Sequence, residues 1–210
     1  MRALILILLL AVIGARPALA ADADPEARYQ AMVTAAKADS QSVDWQALRF
    51  AYADRPGFNA YGDGQDLTRK QMRAAMAAND FVGALTQAQL ICDQDYVDAE
   101  AHLIEALAYI KMGQAAAARR ERDIGEGLLR SIQTGDGLTA KTAFTVINVP
   151  EEYSLVSEFG RRVTRQSLVR QDGHSYDVLE TVDQKGDARA FYFLIDRVMA
   201  AEIKQFAPRR

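Results

Sequence analysis

The chain is poor in the residues that most often carry metal or nucleophilic chemistry. Its 210 residues include one cysteine, Cys92, and two histidines, His102 and His174. One thiol cannot close an intrachain disulfide or build a multi-thiolate metal site. Excess charge of one sign is missing too. The formal charge is −3 and the sequence pI about 5.5, so no nucleic-acid partner is expected. Arg161, Arg162 and Arg165 cluster, but no aromatic residues interleave with them. What is present is a globular composition, 50% hydrophobic and 25% charged. That excludes a disordered tail, a collagen-like rod and a disulfide knot. The length suits one domain, or two small ones sharing a core.

Long apolar runs are confined to the amino end. Arg2 precedes Leu4–Ile13, an unbroken apolar run. Gly14 and Pro17 interrupt it, and Ala18-Leu19-Ala20 places small residues at both positions of an A-x-A site. This layout predicts a signal peptide over residues 1–20, cleaved between Ala20 and Ala21. The run is shorter than a bilayer span, which takes about 20 residues. An uncleaved anchor stretched to Ala20 is the alternative. The expected product is periplasmic or secreted, with no stable membrane insertion after cleavage. In an oxidising compartment Cys92 is expected to be shielded in a helix-packing layer.

Residues 21–134 read as six helices. Asp24-Pro25-Glu26 supplies a cap, a first-turn proline and an acid at the positive helix end. Asp44 opens a second helix with Trp45, Leu48 and Tyr52 on one stripe, and Pro56-Gly57 stops it. In the following loop, Phe58 and Tyr61 are expected to tuck onto the helices. Thr68 to Gln71 has capping-box spacing and is expected to start the third helix. The remaining three are expected near 81–93, 97–112 and 114–134. Gly125 and Gly127 either weaken the last or let another helix approach it.

Comparison of the chain with itself at a fixed offset is informative. Ala84 and Ala118 lie 34 residues apart, each opening the second helix of a helical pair. Tyr109, Gly113 and Ala118 match the aromatic, turn glycine and contact alanine of a tetratricopeptide unit. The spans 65–98 and 99–132 therefore resemble two such units. An ordinary pair of antiparallel hairpins shares the same packing physics.

Residues 135–210 change period and form the expected small α+β region packed on the helices. Thr142–Val149 reads as a strand and Glu151–Phe159 as a helix. Val163–Arg170, a tight Asp172-Gly173 turn and His174–Val182 read as a hairpin. Ala190–Ile195 reads as a covered strand and Arg197–Phe206 as a helix. The expected class is α+β: helical hairpins, then a four-stranded, mainly antiparallel sheet.

Several segments carry a resemblance: LRFAYADRPGFNAYG (48–62), AEAHLIEALAYIKMGQ (99–114), GDGLTAKTAFTVINVPEEY (135–153) and FYFLID (191–196). From Trp45 to Ile195 their order resembles the bacterial exported-protein family catalogued as domain of unknown function 4919. The resemblance implies export, helical repeats and a small sheet. It implies no activity.

Candidate chemistry is sparse. Gly135-Asp136-Gly137 lacks the following helix and Lys-Ser/Thr pair of a phosphate loop, and the alternating acids of a calcium loop. A turn after a helix explains it. Glu151-Glu152 are adjacent, so they point apart on a helix, and the helix dipole accounts for them. Arg119 to Asp123 reads as a solvated helix face. His174 and Tyr176 fall on one strand face and Ser175 and Asp177 on the other, which separates Ser175 as a nucleophile from His174 as its base unless a partner such as Ser167 arrives from the neighbouring strand. No catalytic residue, metal or cofactor is assigned. The leading expectation is a non-catalytic protein- or peptide-binding scaffold using Thr68, Met72, His102 and Glu105 on the first helices of the two hairpins. The alternative is a small-ligand binder or hydrolase-like enzyme sited between helices and sheet, using His174, Tyr176, Asp177 and Asp136.

Overall fold

The computed structural model describes residues 24–62 and 64–206. The signal segment expected over residues 1–20 and its expected cleavage junction lie outside the described residues. Six helices come first: α1 (Pro25–Ala38), α2 (Trp45–Ala53), α3 (Asp66–Ala77), α4 (Phe81–Gln94), α5 (Ala99–Lys111) and α6 (Ala115–Ile132). Then follow β1 (Phe144–Thr145), α7 (Val149–Glu158), β2 (Arg161–Gln171), β3 (His174–Asp183), β4 (Ala188–Leu194) and α8 (Asp196–Phe206).

Aspartates start four of these helices. Asp24, Asp44, Asp80 and Asp98 each accept the backbone N–H three residues on, capping α1, α2, α4 and α5. The expected capping box at Thr68 is not used, because α3 starts earlier, at Asp66. Gln65 is buried and its side-chain amide donates to Gln94 (3.0 Å), which sets the chain's entry into α3. Asp66 then supplies the negative charge at the helix start.

The 34-residue offset is written into the backbone. At the end of α3, Asn79 N–H donates to Met76 and Asp80 N–H to Ala75; at the end of α5, Gly113 donates to Ile110 and Gln114 to Tyr109. Each partner is displaced by the same 34 positions. Asn79 (φ 59°) and Gly113 (φ 74°) both take the left-handed conformation that closes such a helix end. Ala84 and Ala118 are fully buried at the matching places. The two glycines of α6 serve close approach. A Cβ on Gly125 would fall 2.8 Å from Leu103 Cγ, and one on Gly127 2.4 Å from Trp45 Nε1.

The sheet order is β1-β4-β3-β2, antiparallel except for the parallel β1–β4 pair. The expected hairpin forms, with Asp172 (φ 53°) and Gly173 (φ 82°) as the two left-handed residues that such a tight turn requires. The strand expected over 142–149 shrinks to Phe144–Thr145. Asn148 caps α7 by accepting Glu151 N–H, and α7 takes Val149 and Pro150 into its first turn. Val146 and Ile147 are still wholly buried. Their apolar, β-branched character serves burial rather than a ladder.

Two cores result. The larger joins Leu48 and Tyr52 of α2, Leu128 and Ile132 of α6, Leu155 of α7 and the sheet residues Leu179 and Phe193. It crosses residue 134, so helices and sheet share dry contact. The smaller holds Met72, Ala88, Ile91, Cys92 and Ala101 between α3, α4 and α5. Cys92 is thus shielded as expected. Phe58 sits edge-on to Tyr52 at 5.5 Å, but Tyr61 is 55% exposed. Asn59 bonds Tyr61 N–H and Gly62 O in a tight turn, and Tyr61 stands at its tip. No helix among the described residues is long and apolar enough to cross a membrane.

Candidate functional site

One face of α5 breaks the pattern of its neighbours. His102, Glu105 and Tyr109 recur at i, i+3 and i+7 on a helix otherwise rich in alanine. The 34-residue equivalents on α3 are Thr68, Gln71 and Ala75. The α5 stripe opens between α4 and α6 into a pocket of about 410 Å³. Gln89, Cys92 and Asp93 of α4 wall one side, Ala117, Arg120 and Glu121 of α6 the other; Lys37 of α1 and Tyr96 complete it.

The stripe is held from both sides. His102 Nδ1 lies 2.8 Å from Glu121 Oε2, and Nε2 lies 3.0 Å from the Tyr96 carbonyl oxygen. A carbonyl only accepts, so Nε2–H donates to it, and Nδ1 faces the Glu121 carboxylate. Across the pocket, Gln89 donates to the Tyr109 hydroxyl (3.3 Å), and Cys92 bonds Glu105. The donor atoms of Cys92, His102 and Glu105 all lie within 4.8 Å of one another. The loop before α5 fixes this arrangement. Tyr29 Oη accepts Tyr96 N–H (3.1 Å), and Asp98 both caps α5 and pairs with Arg69.

Burial dominates the electrostatics. It raises the Glu105 carboxyl above its ordinary range, and it pushes the Cys92 thiol well up, with the Glu105 charge adding to the effect. Tyr96 is 5% exposed, and its hydroxyl has no hydrogen-bond partner. Burial first, then the Glu121 charge, raises it to about 12. Its ring meets His102 edge-on at 5.0 Å, and Lys37 Nζ stands 5.2 Å from the ring centroid. A buried hydroxyl without a partner costs about 1–3 kcal/mol unless a ligand or water satisfies it.

Of the four residues expected on the first helices, the structure brings together His102 and Glu105. Met72 is fully buried in the smaller core, in the cluster that includes Cys92. Thr68 is half-buried on α3, outside the residues that wall this pocket. The face shared by α3 and α5 carries ion pairs instead, from Arg69 and Arg73 to Glu100. The other group comes together only in part: the rings of His174 and Tyr176 meet edge-on at 6.4 Å. His174 is exposed and bonds Asp196 (2.5 Å); Tyr176 is buried; Asp177 lies on the opposite face and accepts from Gln166 (2.7 Å). Asp136 is spent in its own turn on Leu138 N–H and the Thr142 hydroxyl.

Sequence reasoning missed three buried acids. Glu121, read as part of a solvated face, is 8% exposed and faces His102. Glu151 does more than suit the helix dipole. It forms a bidentate pair with the wholly buried Arg49 (2.6 Å to each oxygen) and accepts Ile147 N–H, tying α2 to α7. Its neighbour Glu152 points towards the sheet, fully buried, with neither oxygen hydrogen-bonded. Burial, then the Asp177 charge, raises it to about 9. The crevices where α7 meets the helices measure only about 10 and 30 Å³, room for a water or two.

No curated protein and no solved structure matches the chain. Residues 26–204, nearly all of the described chain, match the model of the family described as "Domain of unknown function (DUF4919)", and the chain belongs to that family.

Proposed function

We propose that the protein is an exported, non-catalytic binding module, in which the pocket between α4, α5 and α6 takes a side chain or terminus of a protein or peptide partner. The observation that carries this is the unpartnered Tyr96 hydroxyl beside the doubly anchored His102–Glu105–Tyr109 stripe. A cavity near 410 Å³ is the size of a small-ligand or side-chain site. The hairpin repeat supplies the scaffold, as in tetratricopeptide-like arrays. The chemistry supports binding over catalysis. Burial keeps the Cys92 thiol protonated at neutral pH, and both His102 nitrogens already face oxygen acceptors. As the side chains stand, neither nitrogen is placed to take a proton from a nucleophile.

The test is site-specific photo-crosslinking in the cells that make the protein. A photoreactive amino acid replaces Tyr109 in the pocket, and a control replaces Leu168 on the sheet, which is 54% exposed. An adduct specific to position 109, lost in Glu105→Gln, is expected. Equal adducts at both positions overturn the reading. Amino-terminal sequencing of the secreted or periplasmic form is expected to begin at Ala21.

A further inference from the structure

We infer that the floor of this pocket is a binding site for a divalent transition-metal ion of the zinc type, held by Cys92 Sγ, a ring nitrogen of His102 and a Glu105 carboxylate oxygen. The three ligands come from two helices that pack directly, α4 and α5, so the packing itself brings them together. Their donor atoms already lie within 4.8 Å of one another, and all three residues are buried. Zinc bonds of about 2.0–2.3 Å place tetrahedral ligands roughly 3.3–3.8 Å apart. Closure by about an ångström, within side-chain reach, completes the site.

The surroundings are those a metal ligand needs. A ligating histidine is oriented by an acceptor on its other nitrogen. His102 has an acceptor on each: Glu121 at Nδ1 and the Tyr96 carbonyl at Nε2. The nitrogen that takes the metal gives up its present oxygen partner, and the other stays anchored. The donor set of one sulfur, one nitrogen and one oxygen suits zinc rather than calcium or magnesium, which demand oxygen. Three protein ligands leave a fourth position open, in a pocket that Tyr96 also lines. The proton balance follows: the metal replaces the thiol proton of Cys92, and also the ring proton where it takes a His102 nitrogen that carries one, so binding releases at least one proton per ion.

The inference shares its pocket with the binding reading and rests on it in one respect only: the open fourth position is where a donor atom of the partner would bind. The ligands themselves need no partner. The experiment titrates the full mature chain, free of partner, with Co²⁺ and then displaces it with Zn²⁺. Expected are a sulfur-to-cobalt charge-transfer absorption at one ion per chain, release of at least one proton, and loss of the band in Cys92→Ser. Glu105→Gln, which keeps the side-chain shape, abolishes or strongly weakens binding. A folded wild-type chain without the sulfur band overturns the inference, as does a band that survives both Glu105→Gln and His102→Gln. Crosslinking from position 109 is repeated after chelation. Adducts that persist there, with no cobalt band, refute the metal and leave the binding reading standing. A cobalt band without any pocket-specific adduct does the reverse.

Discussion

The hairpins α3–α6 and the seam where α2 and α6 meet α7 and the sheet bury their side chains in different ways. Between the hairpins the contacts are small: Ala84, Ala88, Ala101, Ala108 and Ala118 are all buried, and the local core has five members. At the seam the contacts are large. Phe144 lies 5.5 to 5.9 Å, ring to ring, from Phe159, Phe191 and Phe193, and Leu48, Leu128 and Leu155 are completely buried. Buried charge is handled differently too. Between hairpins it is shared across helices and opens to a pocket; at the seam Arg49 and Glu151 close on each other out of water. Large apolar burial stabilises by about 1.5–3 kcal/mol per side chain. Stability is therefore concentrated at the seam, which leaves the second hairpin free to hold polar groups that a minimal core would otherwise exclude.

The largest effect expected from that contrast is at Arg49. Arg49→Met strands Glu151 as a buried, unpaired carboxylate and costs about 3–5 kcal/mol in urea unfolding. Replacing both partners, Arg49→Met with Glu151→Leu, recovers most of that loss. Trp45 fluorescence and far-ultraviolet circular dichroism are expected to follow one transition, because the larger core spans helices and sheet. Two separated transitions would break the claim that the seam unites them.

Next is the fit of α2 against α6. Gly127→Ala pushes a methyl into the Trp45 indole and costs about 1–3 kcal/mol, with a shift in Trp45 emission. Gly125→Ala meets Leu103 Cγ at 2.8 Å, against 2.4 Å to Trp45 Nε1 for Gly127, and costs less. Equal costs would show that the hairpins are packed as tightly as the seam.

These contrasts mark what was legible in the sequence. Helix number and order, the Asp172-Gly173 hairpin and the α+β class followed from periodicity, caps and turn chemistry, all of which are local. The 34-residue offset was readable because Asn79 and Gly113 both permit positive φ. His102 and Glu105 stood out as polar residues on an alanine-rich helix. Their partners did not. Glu121 sits among Arg119, Arg120, Arg122 and Asp123, where charge patterning alone gives an exposed face. Arg49 carries no local signal at all, since its partner is 102 positions away. The segment 142–149 misled because a short, buried apolar run has the same composition whether or not its backbone joins a ladder.

A smaller effect tests the seam's one uncompensated acid. Glu152 has an ordinary carboxyl value of 4.5 when exposed and about 9 in the fold. Between those values the folded state holds a proton that the unfolded state has lost, so stability falls as pH rises. Asp177 is raised as well, mainly by burial, and acts in the same direction. Chemical unfolding at pH 5, 7 and 9 is expected to show this decline. Glu152→Gln, which cannot ionise, flattens it and is more stable than the parent at pH 9 by about 1–3 kcal/mol. A parent protein that gains stability towards pH 9 would contradict the buried, neutral state of Glu152.

The smallest effect probes the hairpins themselves. Asn79 and Gly113 close equivalent turns with positive φ, so the two residues should be interchangeable at little cost. Asn79→Gly and Gly113→Asn are expected to change stability by a few tenths of a kcal/mol, in opposite directions. Asn79→Ala and Gly113→Ala each place a Cβ in the left-handed conformation and cost about 1–2 kcal/mol. Because the hairpins pack through small residues, that strain should stay local. Thermal unfolding reads the cost, and amide exchange in α3–α6 against the sheet reads its reach. Matching costs confined to α3–α6 would establish the two turns as the same structural unit. A penalty at Gly113 with none at Asn79 would show that only the second hairpin depends on its turn.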